Sequence, residues 1–247
     1  WLPSRVPSNL DLACNTLGGL LGALWAKHVG PRVFARIAAL EHRLIAPIPH
    51  AELGLTLLGL WLLVPLSPET LLFGAADVRQ IFGLTGAMPF AAESFVMIEA
   101  SITAFNVVAV GLIVRMLCAR LLFAYLIVPL FLLLCLLIST VSAAVLVSPA
   151  DSLAWLTPGA KLGLIVGSGI LGVAVALPAT PRLMIAALAL MAGTVLVNMA
   201  PPNPYSQAAL AVWRQGHFLN FNGLTRLAAT LWPFLTLPFL FLTTRRT

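Results

Sequence analysis

Between Arg120 and Asp151 the chain carries no Lys, Arg, His, Asp or Glu. The stretch at 121–147, LLFAYLIVPLFLLLCLLISTVSAAVLV, is apolar all round. A helix without a polar face is either wholly enclosed by protein or immersed in lipid. About 20 residues of helix cross the ~30 Å hydrocarbon layer of a bilayer. Six further apolar runs, at 9–25, 51–66, 95–117, 161–177, 182–199 and 225–242, bring the expected number of spans to about seven. Alternation of inward and outward residues, the mark of a transmembrane barrel, is absent. The sequence therefore predicts an all-α fold, a polytopic transmembrane helical bundle.

Composition agrees. Of 247 residues, 60% are hydrophobic and 9% charged, against about 25% charged in a soluble domain. The net charge of +6 does not point to nucleic acid, because the basic residues sit in short loops where they orient helices and meet anionic headgroups. Cys14, Cys118 and Cys135 lie in apolar stretches without metal-type spacing. No disulfide, metal site or cofactor is expected. Prolines at 47, 49, 65, 68, 149, 158, 178, 181, 201, 202 and 204 fall where helices must end. The chain opens on Trp1, in mid-loop, with no signal peptide. The expectation is a fragment, with an upstream part that could hold half of any site.

Basic residues crowd alternate connectors. Lys27, Arg32, Arg36 and Arg43 follow span one; Arg115 and Arg120 follow span three; Arg182 follows span five; Arg245 and Arg246 close the chain. These loops are expected to face the cytoplasm, with the N-terminus outside and the C-terminus inside. The other connectors carry most of the carboxylates: Glu69, Asp77, Glu93 and Asp151. Two outer loops are long, 67–92 and 200–224. Within the second, 205–219 reads as a helix lying along the outer membrane surface.

Three constellations carry candidate site residues. In the first span Asp11, Asn15, Gly18 and Gly22 share one helical face, with Arg5 just before them. The glycines suit close helix packing; Asp11 and Asn15 form either a buried polar clasp or part of a site. In span three Glu99, Thr103 and Asn106 fall at i, i+4 and i+7. They form either one wall of an outward-open cavity or an interhelical hydrogen-bond ladder. A carboxylate there needs a partner or water. The third set is Arg214, His217, Asn220, Asn222 and Arg226, interleaved with Phe218 and Phe221. Arg grips phosphate with two parallel bonds, and Asn suits sugar hydroxyls or peptide groups. An anionic lipid head, such as an isoprenoid-phosphate sugar, fits this set; so does ordinary anchoring to phospholipid. The repeat Gly163, Gly167, Ser168 and Gly172 lacks the Lys and the preceding strand of a phosphate loop and reads as helix packing.

The segment PSRVPSNLDLACNTLGGLLGAL resembles the C-terminal motif of the VanZ-like family, through Pro3, Arg5, Ser8, Asp11, Asn15 and Gly18. The stretch HFLNFNGLTRLAATLWPFL resembles extended proteobacterial members. The resemblance implies that 1–30 is the end of a VanZ-like domain, followed by a six-span region at 31–247. It further implies a multi-pass protein of the bacterial cytoplasmic membrane, associated with teicoplanin resistance, and supplies no reaction. Its expected partners are membrane lipids and a lipid-linked or cell-wall precursor, bound or processed at the outer face. A transporter or lipid translocase built around Glu99 is the competing reading, and a membrane enzyme of lipid-linked sugars is a third.

Overall fold

The computed structural model describes residues 9–67, 70–82, 89–146, 148–201, 203 and 222–244. The helices are α1 (Asn9–His28), α2 (Gly30–Leu44), α3 (Ala51–Trp61), α4 (Arg79–Phe82), α5 (Ala92–Leu117), α6 (Leu121–Leu146), α7 (Pro158–Ala174), α8 (Ala179–Met199) and α9 (Asn222–Thr244). Single 3-10 turns at Val64–Leu66 and Pro149–Asp151 extend α3 and follow α6. Among the described residues there is no strand.

The chain divides into two compact units, Trp1–Ile45 and Ala46–Thr247. In the first, α1 and α2 pair. The expected connector after span one is instead helix for most of its length. Val33, Ile37, Leu40 and Leu44 recur on one face of α2, and no glycine or proline interrupts it between Pro31 and Pro47. Asn15, Leu17, Leu20 and Leu21 of α1 are exposed. Within this unit no atom comes within 4 Å of a Cβ built at Gly18 or Gly22.

In the second unit α5 is the central post. It packs on α7 most extensively, then on α8 and α6, and most of its length is buried. Glycine explains the closeness of α5 and α7. Gly163 and Gly167 lie directly against Ala100, Thr103, Ala104 and Val107, where an added Cβ would sit 2.5 Å from the Ala100 carbonyl oxygen and 2.9 Å from the Ala104 Cα. Gly172 has open space around it and takes no part. At the other side of the unit α3 meets α9, where the Trp61 and Trp232 rings stand 4.4 Å apart between centroids and Trp232 Nε1 donates to the Leu57 carbonyl.

Outside this core the bundle is greasy. Leu122, Leu126, Leu130, Leu133 and Leu137 form an exposed stripe along α6, from 59% to 78% accessible. A contiguous apolar face of this size belongs against lipid. Four helices, at Ala92–Leu117, Leu121–Val145, Ala179–Met199 and Thr225–Thr243, are long and apolar enough to cross a membrane; the apolar stretches Ala51–Leu66 and Pro158–Ala174 are shorter.

The outer loop expected at 67–92 differs in one respect. Its segment around Leu72, Phe73, Ala75 and Ala76 is buried, although not helical. Non-helical backbone in a membrane bundle must find its partners within the protein. Here Thr103 Oγ1 donates to Leu72 O, Ala76 N donates to Ala229 O, and Asn198 bonds both Ala76 O and Val78 N. Phe73 and Ala76 take positive φ, 61° and 68°, a conformation L-residues keep only where surroundings enforce it.

Candidate functional site

Glu99 stands on the second turn of α5 and is 3% exposed. It faces the start of α7. There Thr157 is the N-cap and Pro158 and Gly159 open the helix. Ser, Thr, Asp and Asn cap because their oxygens satisfy free amides of the first turn, and Pro at the first helical position loses no bond. Thr157 Oγ1 accepts from Ala160 N at 3.0 Å and donates to Glu99 Oε1 at 2.6 Å. Gly159 is required by proximity: a Cβ there would lie 2.3 Å from Glu99 Oε2. The carboxylate is thereby held at the positive end of a helix, where the dipole and free amides favour an anion.

Glu99 also lines a cavity of about 80 Å³, with Ser139, Asp151, Trp155, Thr157 and Asn203 on its wall and Leu72 and Phe73 behind. Trp155 is fixed by its Nε1 donating to Thr140 Oγ1. Ser142 Oγ, two residues further along α6, donates to Leu66 O. The space suits a few waters or one small polar group. A carboxylate accepts and does not donate, so the chemistry complementary to Glu99 is a donor: a hydroxyl, amine or amide.

The three polar residues of α5 diverge. Thr103 turns to the Leu72 carbonyl. Asn106, 2% exposed, donates to Ile102 O of its own helix and lies against Gly193 of α8; it is not among the residues lining the cavity. In the segment between α3 and α5, Asp77 grips Arg79 with both carboxylate oxygens, at 2.9 and 2.7 Å. Arg79 Nη1 donates to Ala200 O. The bond to Asp77 raises the Arg79 pKa, outweighing burial.

Of the other predicted residues, Arg226 lies on α9, half-buried. Asn222 opens that helix, three residues earlier than the span expected at 225–242. Asp11 falls within α1, and Asn15 is exposed on it. Arg5, Arg214, His217 and Asn220 lie outside the described residues, as do the side chains of Asp11 and Asn222 and the surface helix expected at 205–219. Sequence reasoning missed Thr157. Its signal, Thr-Pro-Gly ahead of an apolar run, marks a helix start, whereas its meeting with Glu99 is a tertiary fact. Among the described residues no group of His, Cys, Asp and Glu has the makings of a metal site.

Fold and composition define a helical membrane protein with a buried carboxylate on the wall of a small, mostly apolar cavity. No family model, curated protein or solved structure matches this chain.

Proposed function

We propose that this chain is a VanZ-like, multi-pass protein of the bacterial cytoplasmic membrane that receives a donor group of a lipid-linked or cell-wall precursor at Glu99. One observation carries this reading: a carboxylate 3% exposed, in a membrane-length helix, lines a cavity and, among the described residues, has the Thr157 hydroxyl as its hydrogen-bond partner. Buried ionisable groups in membrane segments are expensive and mark binding sites or pathways.

In this reading the chain crosses the membrane about seven times. Helix α1, α3 with its 3-10 extension, and α7 join the four long helices. At 17 residues α7 is about 26 Å long, close to the ~30 Å layer. Glu99, Thr157 and Asp151 would face outward, while Arg115 and Arg182, at the opposite end of the bundle, would face the cytoplasm. Asp11, Asn15, Arg214, His217, Asn220 and Arg226 are further candidate ligand contacts from the sequence pattern alone.

The test is teicoplanin susceptibility of cells carrying the full reading frame, with Glu99→Gln, Asp11→Asn and Arg226→Ala compared at equal membrane abundance. Each variant is expected to lose protection. Full protection in all three would defeat the reading. The transporter alternative is favoured by a buried carboxylate in a membrane-length helix, since such groups mark substrate and ion pathways. Flux in proteoliposomes that Glu99→Gln abolishes would select it.

A further inference from the structure

At the end of the bundle away from Glu99, two arginines converge on one turn. Helix α7 ends at Ala174 and α8 begins at Ala179. Arg115, in the last turn of α5, donates from Nε to Val175 O at 3.1 Å and from Nη1 to Cys118 O at 3.2 Å. Arg182, in the first turn of α8, donates from Nη1 to Leu177 O at 3.2 Å. The two guanidinium groups thus hang on carbonyls two residues apart, close enough for their charges to repel.

Carbonyl capping accounts for these three bonds, since helix ends leave their last carbonyls without partners. It leaves three observations over. No carboxylate among the described residues pairs with either arginine. Arg182 Nε is buried without an acceptor. Helix α8 starts from Pro178 with no side-chain cap, and its first turn carries an arginine and no acid, the reverse of the charge preference at a helix N-terminus. Two cations and the positive end of a helix meet with no carboxylate among the described residues to balance them.

What would complete the arrangement is an anion with several acceptor oxygens. Nε and Nη2 form the edge of a guanidinium that takes a phosphate through two parallel bonds, and on Arg182 the bond to Leu177 O is made by Nη1, off that edge. The surroundings indicate the source. Val173 on the last turn of α7 is 72% exposed, and Met184 and Leu188 on the outer face of α8 are 58% and 59% exposed. These are apolar surfaces along which acyl chains lie, starting one turn from the arginines. Basic pockets between membrane helices take lipid headgroups in this way.

We propose that Arg115, Arg182 and the N-terminus of α8 form a binding site for the phosphate of an anionic phospholipid. The site is independent of the Glu99 cavity and of the function assigned to it.

The test uses the full chain, purified in a neutral detergent, with phosphatidylglycerol, phosphatidylcholine and inorganic phosphate as probes. Retained lipid is read by native mass spectrometry and unfolding temperature by intrinsic fluorescence. Phosphatidylglycerol is expected to stay bound and to raise the unfolding temperature, and phosphatidylcholine to do neither. Arg115→Gln with Arg182→Gln should weaken phosphatidylglycerol binding about tenfold or more. Where that pair fails to fold, Arg182→Lys keeps the charge and removes the two-bond edge, and should still weaken binding severalfold. Equal retention of the two lipids by the unaltered protein, or phosphatidylglycerol binding unchanged in a folded variant, overturns the site. Inorganic phosphate binding as tightly as the lipid overturns the lipid assignment.

Discussion

Thr157 serves Glu99 and its own helix with one oxygen: Oγ1 donates to Glu99 Oε1 at 2.6 Å while accepting from Ala160 N at 3.0 Å. The cap of α7 and the partner of the buried acid are therefore one group, and losing it should cost both. Thr157→Val keeps the shape and removes the oxygen. It is expected to destabilise the protein by about 2–4 kcal/mol, summing a lost cap and a lost bond to a charged acceptor. Thr157→Ser should stay within about 0.5 kcal/mol, because the hydroxyl remains. Glu99→Gln still offers an acceptor to Thr157, so its unfolding temperature should move little while any ligand-dependent readout falls. Unfolding temperatures in one detergent separate the three. A Thr157→Val protein as stable as the unaltered one would show that the shared hydroxyl contributes nothing.

The α5–α7 contact makes opposite predictions for glycines four and five residues apart in one helix. A methyl at Gly163 would meet the Ala100 carbonyl at 2.5 Å, and one at Gly167 the Ala104 Cα at 2.9 Å. Both neighbours are backbone and cannot swing away. Gly163→Ala and Gly167→Ala should each cost about 1–3 kcal/mol, the usual range for overpacking. Gly172→Ala enters open space and should be neutral or gain up to about 1 kcal/mol from helix propensity. Thermal unfolding of the three single variants is sufficient. Equal effects at Gly163 and Gly172 would mean that the helices do not approach here.

Much of this was legible in the chain because lipid imposes a simple rule. The apolar runs at 95–117, 121–147 and 182–199 became α5, α6 and α8 with shifted ends, and the Gly163–Gly167 spacing was readable as a packing seam. Helix α2 escaped because the arginines, read as a loop's charge, sit on one side of an amphipathic helix whose apolar residues recur every three to four positions. The buried turn at Leu72–Ala76 escaped for a different reason. Its residues carry no glycine at the positive-φ positions, so nothing local announced the conformation; Asn198 and Ala229 impose it from far along the chain. The same holds for the site. Glu99 stood out as a carboxylate in an apolar run, but the chain order could not place Thr157 or Asp151 beside it, nor bring Arg115 and Arg182 to one turn.

Asn198 offers a direct test of that imposed turn. Its Oδ1 accepts from Val78 N at 3.1 Å, and its Nδ2 donates to Ala76 O at 2.7 Å and Thr194 O at 2.8 Å. Asn198→Ala strands an amide and a carbonyl of a segment in which Ala76 is wholly buried. The expected cost is about 2–3 kcal/mol, the desolvation of groups left unpaired. Hydrogen exchange should accelerate at 76–78 more than in α5 or α8. Uniform protection across the unit, with no local rise, would show that other contacts hold the turn.

The proposed topology puts Asp151 and Arg36 on opposite sides of the membrane. Both side chains are exposed, so each accepts a cysteine without disturbing a core. Of the native cysteines Cys14 is exposed, whereas Cys118 and Cys135 are buried, so the background needs Cys14→Ser as its first change. In intact cells stripped of the outer barrier, a membrane-impermeant maleimide should label Asp151→Cys and leave Arg36→Cys untouched. Permeabilised cells should show both labelled. The asymmetry rests on the weight of Lys27, Arg32, Arg36 and Arg43 in one connector, since a cluster of that size near a span end resists export. Labelling of both cysteines from the same side would reverse the assignment of that connector. Protection of Asp151→Cys in intact cells, by contrast, would remove Glu99 from the compartment where cell-wall precursors are handled, because the two acids line one cavity.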